Sequence, residues 1–251
     1  MSLIMEIHGL EKSFDGVKAI DNFSCSVKKG EILGLIGLNG AGKTTLFNII
    51  SGFIISDGGK VFFKGKEIND IPSYTIANIG ISRTFQDLRL IKQVSVIENV
   101  LLFFQEQLGE KLLNIFFNWK NCLAQEKKNT KRALALLKDV DLSDFAGELA
   151  ESLSYGQQKL LSLVCCLATK ADLLLLDEPV AGVSPEMTEK VLETISKLPI
   201  KGKTVILIEH NIDAVMQICD RIIFMDAGVK ICEGTPNDVR NDSRVIEAYI
   251  D

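Results

Sequence analysis

The fold of this chain is decided by the stretch Gly37-Leu-Asn-Gly40-Ala-Gly42-Lys43-Thr44-Thr45. It matches the spacing G-x-x-x-x-G-K-[ST], which requires a strand before it and a helix after it. The apolar run over residues 31–36 predicts a buried parallel strand, and Leu46–Ile50 begins a helical pattern that stops at Gly52. Strand, glycine-rich loop and helix therefore follow one another in the order that the motif requires.

The backbone of such a loop binds an anion. Gly37, Gly40 and Gly42 let the chain curl so that successive N–H groups point at a phosphate, and the following helix adds its free N–H groups and positive dipole end. Lys43 supplies a positive charge between the β- and γ-phosphates, and the Thr44 hydroxyl is placed to bind Mg²⁺. The alternative is a glycine-rich turn whose lysine faces water, which the flanking strand and helix disfavour. The sequence therefore predicts a nucleoside triphosphate site.

Length and composition exclude some classes of protein. A chain of 251 residues can form one large domain or two closely joined lobes, and its 47% hydrophobic and 24% charged residues are typical of a globular protein. The net charge of −5 argues against nucleic acid as the main partner, because a phosphate backbone attracts basic surfaces. A local basic patch is still compatible with this composition.

Cysteine usage and apolar runs predict the compartment. The six cysteines show no C-x-x-C spacing and mostly stand among apolar residues, which favours free thiols in a reduced, cytosolic setting over a metal site. We expect no signal peptide, and no apolar run reaches the ~18 residues that cross a bilayer. Any role at a membrane is therefore expected from outside the lipid.

The first part of the chain alternates polar and apolar residues. This pattern predicts an antiparallel strand pair, Met5–Phe14 and Val17–Val27, and a second pair near Lys60–Phe63, closed by the Gly58-Gly59 turn and Gly65-Lys66. Phe14 alone would be interpreted as a core aromatic residue on a β-face. A flat ring near a nucleotide pocket can also stack on adenine.

The middle of the chain changes character. Residues 80–85 predict a strand that ends at Gln86, and residues 88–159 have the apolar spacing of helices. Within them, residues 103–119 are rich in aromatic and aliphatic side chains mixed with Lys and Glu. This stretch could lie on a membrane surface, but a helical lobe that packs its own core is favoured, because the cationic excess is small.

The second informative stretch is Asp172–Pro179. Four consecutive leucines predict a strand that is covered on both faces, as in the middle of a parallel sheet. Asp177 and Glu178 follow at its carboxyl end, where open α/β sheets bind their ligands. We expect Asp177 to bind Mg²⁺, directly or through water, and Glu178 to polarise a water molecule.

The last part of the chain continues the sheet. Thr204–Ile208 predicts another covered strand, followed by His210; a lone histidine is usually structural, but the carboxyl end of a strand is the side on which the nucleotide lies. Arg221–Met225 and residues 229–233 predict a hairpin, and residues 235–249 a polar helix.

With these residues in place, Leu153-Ser-Tyr-Gly-Gln-Gln158 resembles the signature sequence of ABC ATPases, usually LSGGQ. The four motifs in their order make the chain resemble the ATP-binding subunits of ABC transporters along nearly its whole length. This implies an α/β fold: a P-loop NTPase with a RecA-like core of mostly parallel sheet, an antiparallel β subdomain and a helical subdomain. The implied single domain, 1–251, has its core at 1–86 and 166–251 and its helical subdomain at 87–165.

The resemblance also implies roles for single residues. Phe14 takes the adenine-stacking place, Gln86 senses Mg²⁺ and the attacking water, Glu178 is the general base, and His210 contacts the γ-phosphate. Lys43 acts in catalysis as well as binding, and Mg²⁺ is held by Thr44, Gln86 and Asp177. The other implied ATP contacts are Val17, Gly37, Asn39, Gly40, Ala41, Gly42, Thr44 and Thr45, and, reaching across to a second subunit's nucleotide, Ser154, Gly156 and Gln157.

This arrangement implies a head-to-tail dimer, formed with an identical or paralogous chain, that holds two ATP molecules between its subunits. Two residues depart from the family pattern. Tyr155 replaces the usual glycine of the signature, and Ser184 stands where relatives usually carry Asp or Asn, which bears on coupling between the two sites.

A narrower resemblance is to the ATPase subunits of bacterial branched-chain amino-acid importers. It rests on residues 83–90, Val96–Asn99, the aromatic insert near Phe116, Tyr155 in the signature, and the C-terminal residues 233–249. It implies membrane permease partners, a solute-binding protein upstream, and a place on the cytoplasmic face of a bacterial or archaeal membrane. Nucleic acid is not among the implied partners.

Four alternatives remain open at this level. Similar subunits serve urea or amide import and lipopolysaccharide export. A soluble ABC ATPase acting on ribosomes or DNA usually carries two ATPase halves, coiled-coil arms or basic surfaces, which are not evident here. A nucleotide-gated binding module without catalysis is disfavoured by the presence of Glu178 and His210.

Overall fold

The computed structural model describes residues 2–85, 88–110 and 116–250. Over this part the chain forms two β-sheets and a group of helices, and none of the described helices is long and apolar enough to span a bilayer. The strands are β1 (Leu3–Phe14), β2 (Val17–Lys28), β3 (Ile32–Gly37), β4 (Gly58–Phe63), β5 (Lys66–Glu67), β6 (Ile81–Arg83), β7 (Leu173–Asp177), β8 (Thr204–Ile208), β9 (Arg221–Asp226) and β10 (Val229–Gly234). The helices are α1 (Lys43–Ile50), α2 (Ser73–Ile79), α3 (Val96–Leu101), α4 (Trp119–Lys138), α5 (Tyr155–Ala168), α6 (Pro185–Ser196), α7 (Ile212–Ile218), α8 (Pro236–Arg240) and α9 (Ser243–Ile250).

The chain divides into two compact units. The sheet unit comprises Met1–Gln86, Ala171–Ala181 and Leu192–Asp251, and the helical unit comprises Asp87–Lys170 and Gly182–Val191. The helical unit therefore extends beyond the range 87–165 expected from the sequence. Its second segment belongs there because a Cβ on Gly156 would lie 2.5 Å from Met187 and 3.2 Å from Val183, too close for any residue but glycine.

The first sheet is antiparallel, with strand order β2-β1-β4-β5. Its first hairpin matches the predicted strand pair and turns at Asp15 and Gly16, both at positive φ. The predicted Gly58-Gly59 turn is wrong, because both glycines lie in β4. A Cβ on Gly59 would stand 2.3 Å from the carbonyl oxygen of Gly9, so this glycine lets β4 approach β1 closely instead of reversing the chain.

The second sheet has the order β10-β9-β3-β8-β7-β6 and is parallel except for its edge strand β10. Strands β3, β7 and β8 are buried along their whole length, which is why their sequences are continuous apolar runs. The predicted strand over 80–85 shortens to Ile81–Arg83. The carboxyl ends of β3, β6, β7 and β8 meet at one edge, and this edge carries the site described below.

One hydrophobic cluster joins both sheets within the sheet unit. Leu46 and Phe47 of α1 lie in it together with Phe23 of β2 and Leu175 of β7, all at most 3% exposed. The helix that follows the glycine-rich loop is therefore held between the two sheets. Burial of this kind stabilises by about 1.5–3 kcal/mol for each large apolar side chain.

The helical unit is built on α3, α4 and α5, which pack on one another. Ser95 begins α3 with a reciprocal capping box, in which its hydroxyl accepts from the Glu98 amide and the Glu98 carboxylate accepts from the Ser95 amide. Val100, Phe104 and Leu137 are buried in this unit.

The aromatic stretch does not pack its own core as expected. Phe104 is buried, but Phe116, Phe117 and Trp119 are 75%, 82% and 55% exposed. The reason lies in α4, whose buried positions, Asn129, Ala133 and Leu137, all fall in its second half, so its first turn meets no core. Leu112, Leu113 and Ile115, which belong to the same predicted cluster, lie outside the described residues.

The predicted C-terminal helix is two helices, α8 and α9. Helix α8 ends at Arg240 and is capped by Asn241. The Asp242 carboxylate then accepts the backbone N–H of Arg244 at 3.0 Å and pairs with its guanidinium. These local side-chain bonds interrupt the helical backbone, as aspartate does at helix starts.

Candidate nucleotide-binding site

The glycine-rich loop connects β3 to α1 and has the backbone that the motif predicts. Gly37, Gly40 and Gly42 have φ of 149°, 81° and 95°, which L-residues with a side chain rarely adopt. A Cβ on Gly37 would stand 2.0 Å from the Met225 carbonyl oxygen, and one on Gly42 would stand 2.3 Å from that of Ala19. Two of the three glycines are therefore required by close packing as well as by φ.

The amides of this loop are available to an anion. The first backbone hydrogen bond of α1 runs from the Leu46 amide to the Gly42 carbonyl, so the amides of Lys43, Thr44 and Thr45 have no acceptor within the helix. The far side of the loop is fixed by the Gly228 amide, which donates to the Ala41 carbonyl at 3.2 Å. The loop is thus held by its carbonyls while helix-start amides stay open for a phosphate.

Lys43 is held inside the loop. Its Nζ donates to the carbonyls of Gly37 at 2.7 Å and Leu38 at 2.8 Å, and the residue is only 6% exposed. Burial lowers its pKa, while the nearby carboxylates of Glu178 and Asp177 act in the opposite direction. A charge in so little water interacts strongly with any anion that enters the loop.

Asp177 ends β7 as a buried carboxylate. Its Oδ2 accepts from Nη2 of Arg83 at 2.9 Å, and both side chains are 5% exposed. Its amide donates to the Thr84 hydroxyl at 3.0 Å. The predicted Mg²⁺ ligand is therefore fixed by two residues at the end of the neighbouring strand β6.

Arg83 is a site residue that motif reasoning missed. It also donates to Asn48 of α1 at 2.7 Å and to Ser51, which caps the end of that helix, at 3.2 Å. Its guanidinium lies 5.4 Å from the ring centre of Phe47 and 5.1 Å from that of Phe85. It links the carboxylate to the helix of the glycine-rich loop. The parallel pairing of β6 with β7 places it there, and nothing in the local sequence signals that pairing.

Glu178 and His210 face each other at the same edge. The Nε2 of His210 lies 2.9 Å from Oε1 of Glu178, with the histidine 40% and the glutamate 17% exposed. Glu178 has φ of 47°, a left-handed conformation that is uncommon for a residue other than glycine. The two residues predicted from separate motifs are therefore in direct contact.

A second buried carboxylate, Glu209, supports this contact. Its oxygens accept from the amides of Val180 at 2.9 Å and His210 at 3.2 Å, which joins the segments after β7 and β8. Burial raises the pKa of Glu209, and these backbone bonds oppose the shift. Glu209 was not among the predicted site residues, although a charged residue directly after an apolar strand indicates a place at the ligand-binding edge of the sheet.

The proposed adenine-stacking residue lies on the surface. Phe14 is 44% and Val17 70% exposed at the tip of the β1–β2 hairpin, and the Lys12 ammonium lies 5.4 Å from the Phe14 ring centre. The core interpretation of Phe14 is therefore wrong. Two residues beyond Val17, the Ala19 carbonyl lies against Gly42, so the hairpin runs past the glycine-rich loop.

The signature residues belong to the helical unit. Ser154 caps α5 through a reciprocal box with Gln157, at 2.8 and 3.3 Å, and both side chains stand at the surface. Tyr155 is half exposed, with the Lys159 ammonium 5.6 Å from its ring centre. The start of α5 therefore exposes the Ser154 hydroxyl and part of the Gln157 side chain, whereas Gly156 is buried. Gln86, the remaining predicted catalytic and metal residue, lies outside the described residues.

The donor set at the edge fits a cation that arrives with phosphate groups. Mg²⁺ typically takes one or two carboxylates together with substrate phosphate oxygens. Thr44 supplies a hydroxyl oxygen and Asp177 a carboxylate oxygen. Thr44 follows Lys43 in the sequence, and the Asp177 carboxylate is near enough to Lys43 to act on its pKa. The residues that the structure describes contain no group of three or more His, Cys, Asp or Glu suited to hold a metal by themselves.

A glycine-rich loop between β3 and α1, with carboxylates at the ends of neighbouring parallel strands, defines a P-loop nucleotide-binding protein. A family model described as ABC transporter matches residues 20–181, and one described as branched-chain amino acid ATP-binding cassette transporter matches residues 229–250. The chain therefore belongs to the ABC transporter family of ATP-binding subunits.

Individual relatives can be aligned with this chain over nearly its full length. The high-affinity branched-chain amino acid transport ATP-binding protein BraF of Pseudomonas aeruginosa is 37% identical, over 98% of this chain and 97% of its own. A solved ATP-binding cassette of an ABC transporter in its ADP conformation has a TM-score of 0.86 at 34% identity, covering 100% of this chain and 99% of its own. A dimeric cassette in a post-hydrolysis state bound to ADP and phosphate has a TM-score of 0.78 at 26% identity, covering 93% and 99%.

Proposed function

We propose that this chain hydrolyses ATP to drive the uptake of branched-chain amino acids through a membrane permease. The observation that carries the catalytic part is the contact between Glu178 and His210, 2.9 Å apart at the sheet edge that also holds Lys43. A carboxylate that is oriented by a second polar group and lies beside a phosphate cradle is the arrangement of a general base.

The mechanism is positioning combined with electrostatics. Lys43 and the amides that begin α1 bind the phosphates and oppose the charge that develops on the transferring phosphoryl group. Glu178 orients and deprotonates the attacking water, and His210 holds the carboxylate and reaches the γ-phosphate. Thr44 and Asp177, together with Gln86, would hold Mg²⁺, which would neutralise charge on the phosphate oxygens.

Each site is completed by a second copy or a paralogue of the chain. Ser154 is exposed and Gln157 partly exposed at the start of α5, where they are accessible to the nucleotide of a facing subunit, and Gly156 lies buried between them. The dimeric post-hydrolysis cassette among the related structures supports this assembly. We infer a head-to-tail dimer with two ATP molecules between its subunits.

The transported solute is proposed from relatives, since an ATPase subunit does not touch it. The name of the Pseudomonas relative and the match over 229–250 favour branched-chain amino acids over urea, amides or lipopolysaccharide. We propose permease partners, a solute-binding protein upstream, and attachment at the cytoplasmic face of the membrane. Uptake of labelled leucine compared with labelled urea, in vesicles that contain the neighbouring permease, tests this assignment.

Replacing Glu178 with glutamine tests the catalytic part. Loss of a general base typically costs ~10²–10⁴-fold in rate, so Glu178→Gln should retain ATP binding, lose hydrolysis by that factor, and accumulate an ATP-bound dimer. Phosphate release and size-exclusion chromatography measure the two effects. Glu193→Gln, which alters an exposed carboxylate on α6, is the matched control. Hydrolysis by Glu178→Gln at the unmodified rate would show that the general base is elsewhere.

A further inference from the structure

The outward side of α4 concentrates positive charge on a chain whose net charge is −5. The helix carries six basic residues and a single acidic one, Glu126. The acidic residues of the helical unit that form described ion pairs do so elsewhere, Glu106 with Lys170 and Asp141 with Lys190. Exposed lysines at five positions of α4 take part in none of the ion pairs found among the described residues: Lys120, Lys127, Lys128, Lys131 and Lys138.

Helical spacing places these lysines on one face. Lys127 and Lys131 are one turn apart, Lys128 lies beside Lys131, and Lys120 is two turns before Lys127. The opposite side of the helix, at Asn129 and Ala133, is buried. A shallow groove of about 450 Å³ runs along this face and is lined by Ala124, Lys127, Lys128, Lys131, Arg132 and Ala135.

Except for Lys138, which stands in the last turn where a cation is favourable, these charges do not stabilise the helix. Like charges one turn apart repel each other, and Lys120 stands in the first turn, which has no acidic residue and where the helix dipole is positive. The charges are therefore better explained by an anionic partner than by the stability of α4.

Apolar side chains border the basic face. Phe116, Phe117 and Trp119 are exposed just before or within the first turn, and Leu123, one turn before Lys127, is 44% exposed. The Lys120 ammonium lies 6.0 Å from the Trp119 ring centre. Lysines next to exposed aromatic residues are the composition of helices that lie in the interface of a bilayer.

We propose that α4 and the aromatic residues before it form a lipid-binding surface that docks on an anionic bilayer. The lysines bind phosphate groups of the lipid heads, and the rings of Phe116, Phe117 and Trp119 enter the interfacial layer. A protein partner fits less well, because the cores of protein interfaces are depleted in lysine. This contact goes beyond the proposed function and does not depend on ATP hydrolysis.

The first experiment compares two triple variants that remove equal charge. One combines Lys127→Gln, Lys128→Gln and Lys131→Gln, and the control changes exposed lysines elsewhere, Lys29, Lys66 and Lys92, to glutamine. Co-sedimentation of the full chain with phosphatidylcholine vesicles containing phosphatidylglycerol measures binding. Each lysine near an anionic surface contributes about fivefold in affinity, so the α4 variant should bind about a hundredfold more weakly and the control nearly normally.

The second experiment uses the single tryptophan of the chain, Trp119. Its emission should shift to shorter wavelength on addition of the anionic vesicles, stay unchanged with phosphatidylcholine alone, and return as salt is raised. ATP hydrolysis by the α4 variant should be unchanged, which separates this inference from the failure of the catalytic assignment.

Three outcomes would overturn the proposal. Unchanged Trp119 emission with anionic vesicles would exclude lipid contact, and an equal loss in both triple variants would mean non-specific attraction. Binding that appears only in membranes containing the permease would assign the face to that protein. Self-association that the α4 variant abolishes, without vesicle binding, would assign it to a second copy of the chain.

Discussion

The sheet edge around Asp177 and the outer face of α4 are both charged, but they hold their charges in opposite ways. At the sheet edge, Arg83 and Asp177 are 5% exposed and joined to each other at 2.9 Å, and Lys43 is bound to backbone carbonyls. On α4, the lysines are exposed, and Glu106 and Asp141 of the same unit pair with lysines outside this helix. The fixed charges at the sheet edge suit chemistry on one bound molecule. The exposed charges on α4, which lie outside the described ion pairs, suit a partner that presents charge over a broad surface.

Breaking the buried ion pair at the sheet edge should give the largest loss of unfolding free energy among these tests. Arg83→Met leaves the Asp177 carboxylate buried without its partner, and breaking such a pair typically costs ~3–5 kcal/mol of unfolding free energy. Urea denaturation measures the loss. Lys64→Met, which breaks the exposed pair of Lys64 with Asp172, is the control and should cost ~0–1 kcal/mol. Equal losses in both variants would contradict the contrast between buried and exposed charge.

Two phenylalanines from residues 103–119 test which part of this aromatic stretch is packed in a core. Phe104→Ala empties a buried position and should cost ~3–5 kcal/mol, whereas Phe117→Ala should stay within ~0.5 kcal/mol because its ring is 82% exposed. Thermal or urea unfolding of both variants measures the difference. A large loss in Phe117→Ala would mean that the aromatic stretch packs a core after all.

Lysine replacements compare the two regions in nucleotide binding. Lys43→Ala removes a charged donor from the phosphate cradle, and such a bond contributes ~1.5–3 kcal/mol, so ATP affinity should fall about 10–100-fold. Lys120→Ala, on α4, should bind ATP normally. Calorimetric titration measures both, and unchanged affinity in Lys43→Ala would refute the phosphate-loop assignment.

The smallest expected effect is a pH dependence at Glu209. Burial raises its pKa in the folded chain, so the folded state holds this proton more tightly than the unfolded state. Its contribution to stability is therefore greatest at low pH and declines as pH rises from the unfolded value of 4.5 through the raised folded value. Glu209→Gln should remove that decline, so its stability relative to the unmodified chain should increase with pH. Denaturation midpoints at several pH values measure this, and a constant difference would contradict it.

Sequence patterns predicted the parts of the site that are local. The glycine-rich loop, the leucine strand before Asp177 and the strand before His210 each depend on a few adjacent residues, and the structure has all three elements. The fold class and the family are confirmed by the related structures and family models. The roles of the individual site residues remain predictions.

The parts that were missed depend on distant contacts or on which face is covered. Arg83 reaches Asp177 only because β6 pairs with β7, and the two residues are 94 positions apart in the chain. Periodicity indicated helices in residues 88–159 but could not show that α4 buries its second half alone, which exposes Phe116 and Phe117. Gly58 and Gly59 resembled a turn because glycine serves both turns and close strand approach.

The packing around β3 has a consequence for synthesis of the protein. Strand β3 pairs with β8 and β9, and the glycine-rich loop is held by Met225 and Gly228 near the C-terminal end of the chain. A nascent polypeptide that has left the ribosome only as far as α5 carries every residue of the loop but none of these supports. Competence to capture nucleotide is therefore acquired late in translation, which guards against premature engagement by incomplete chains.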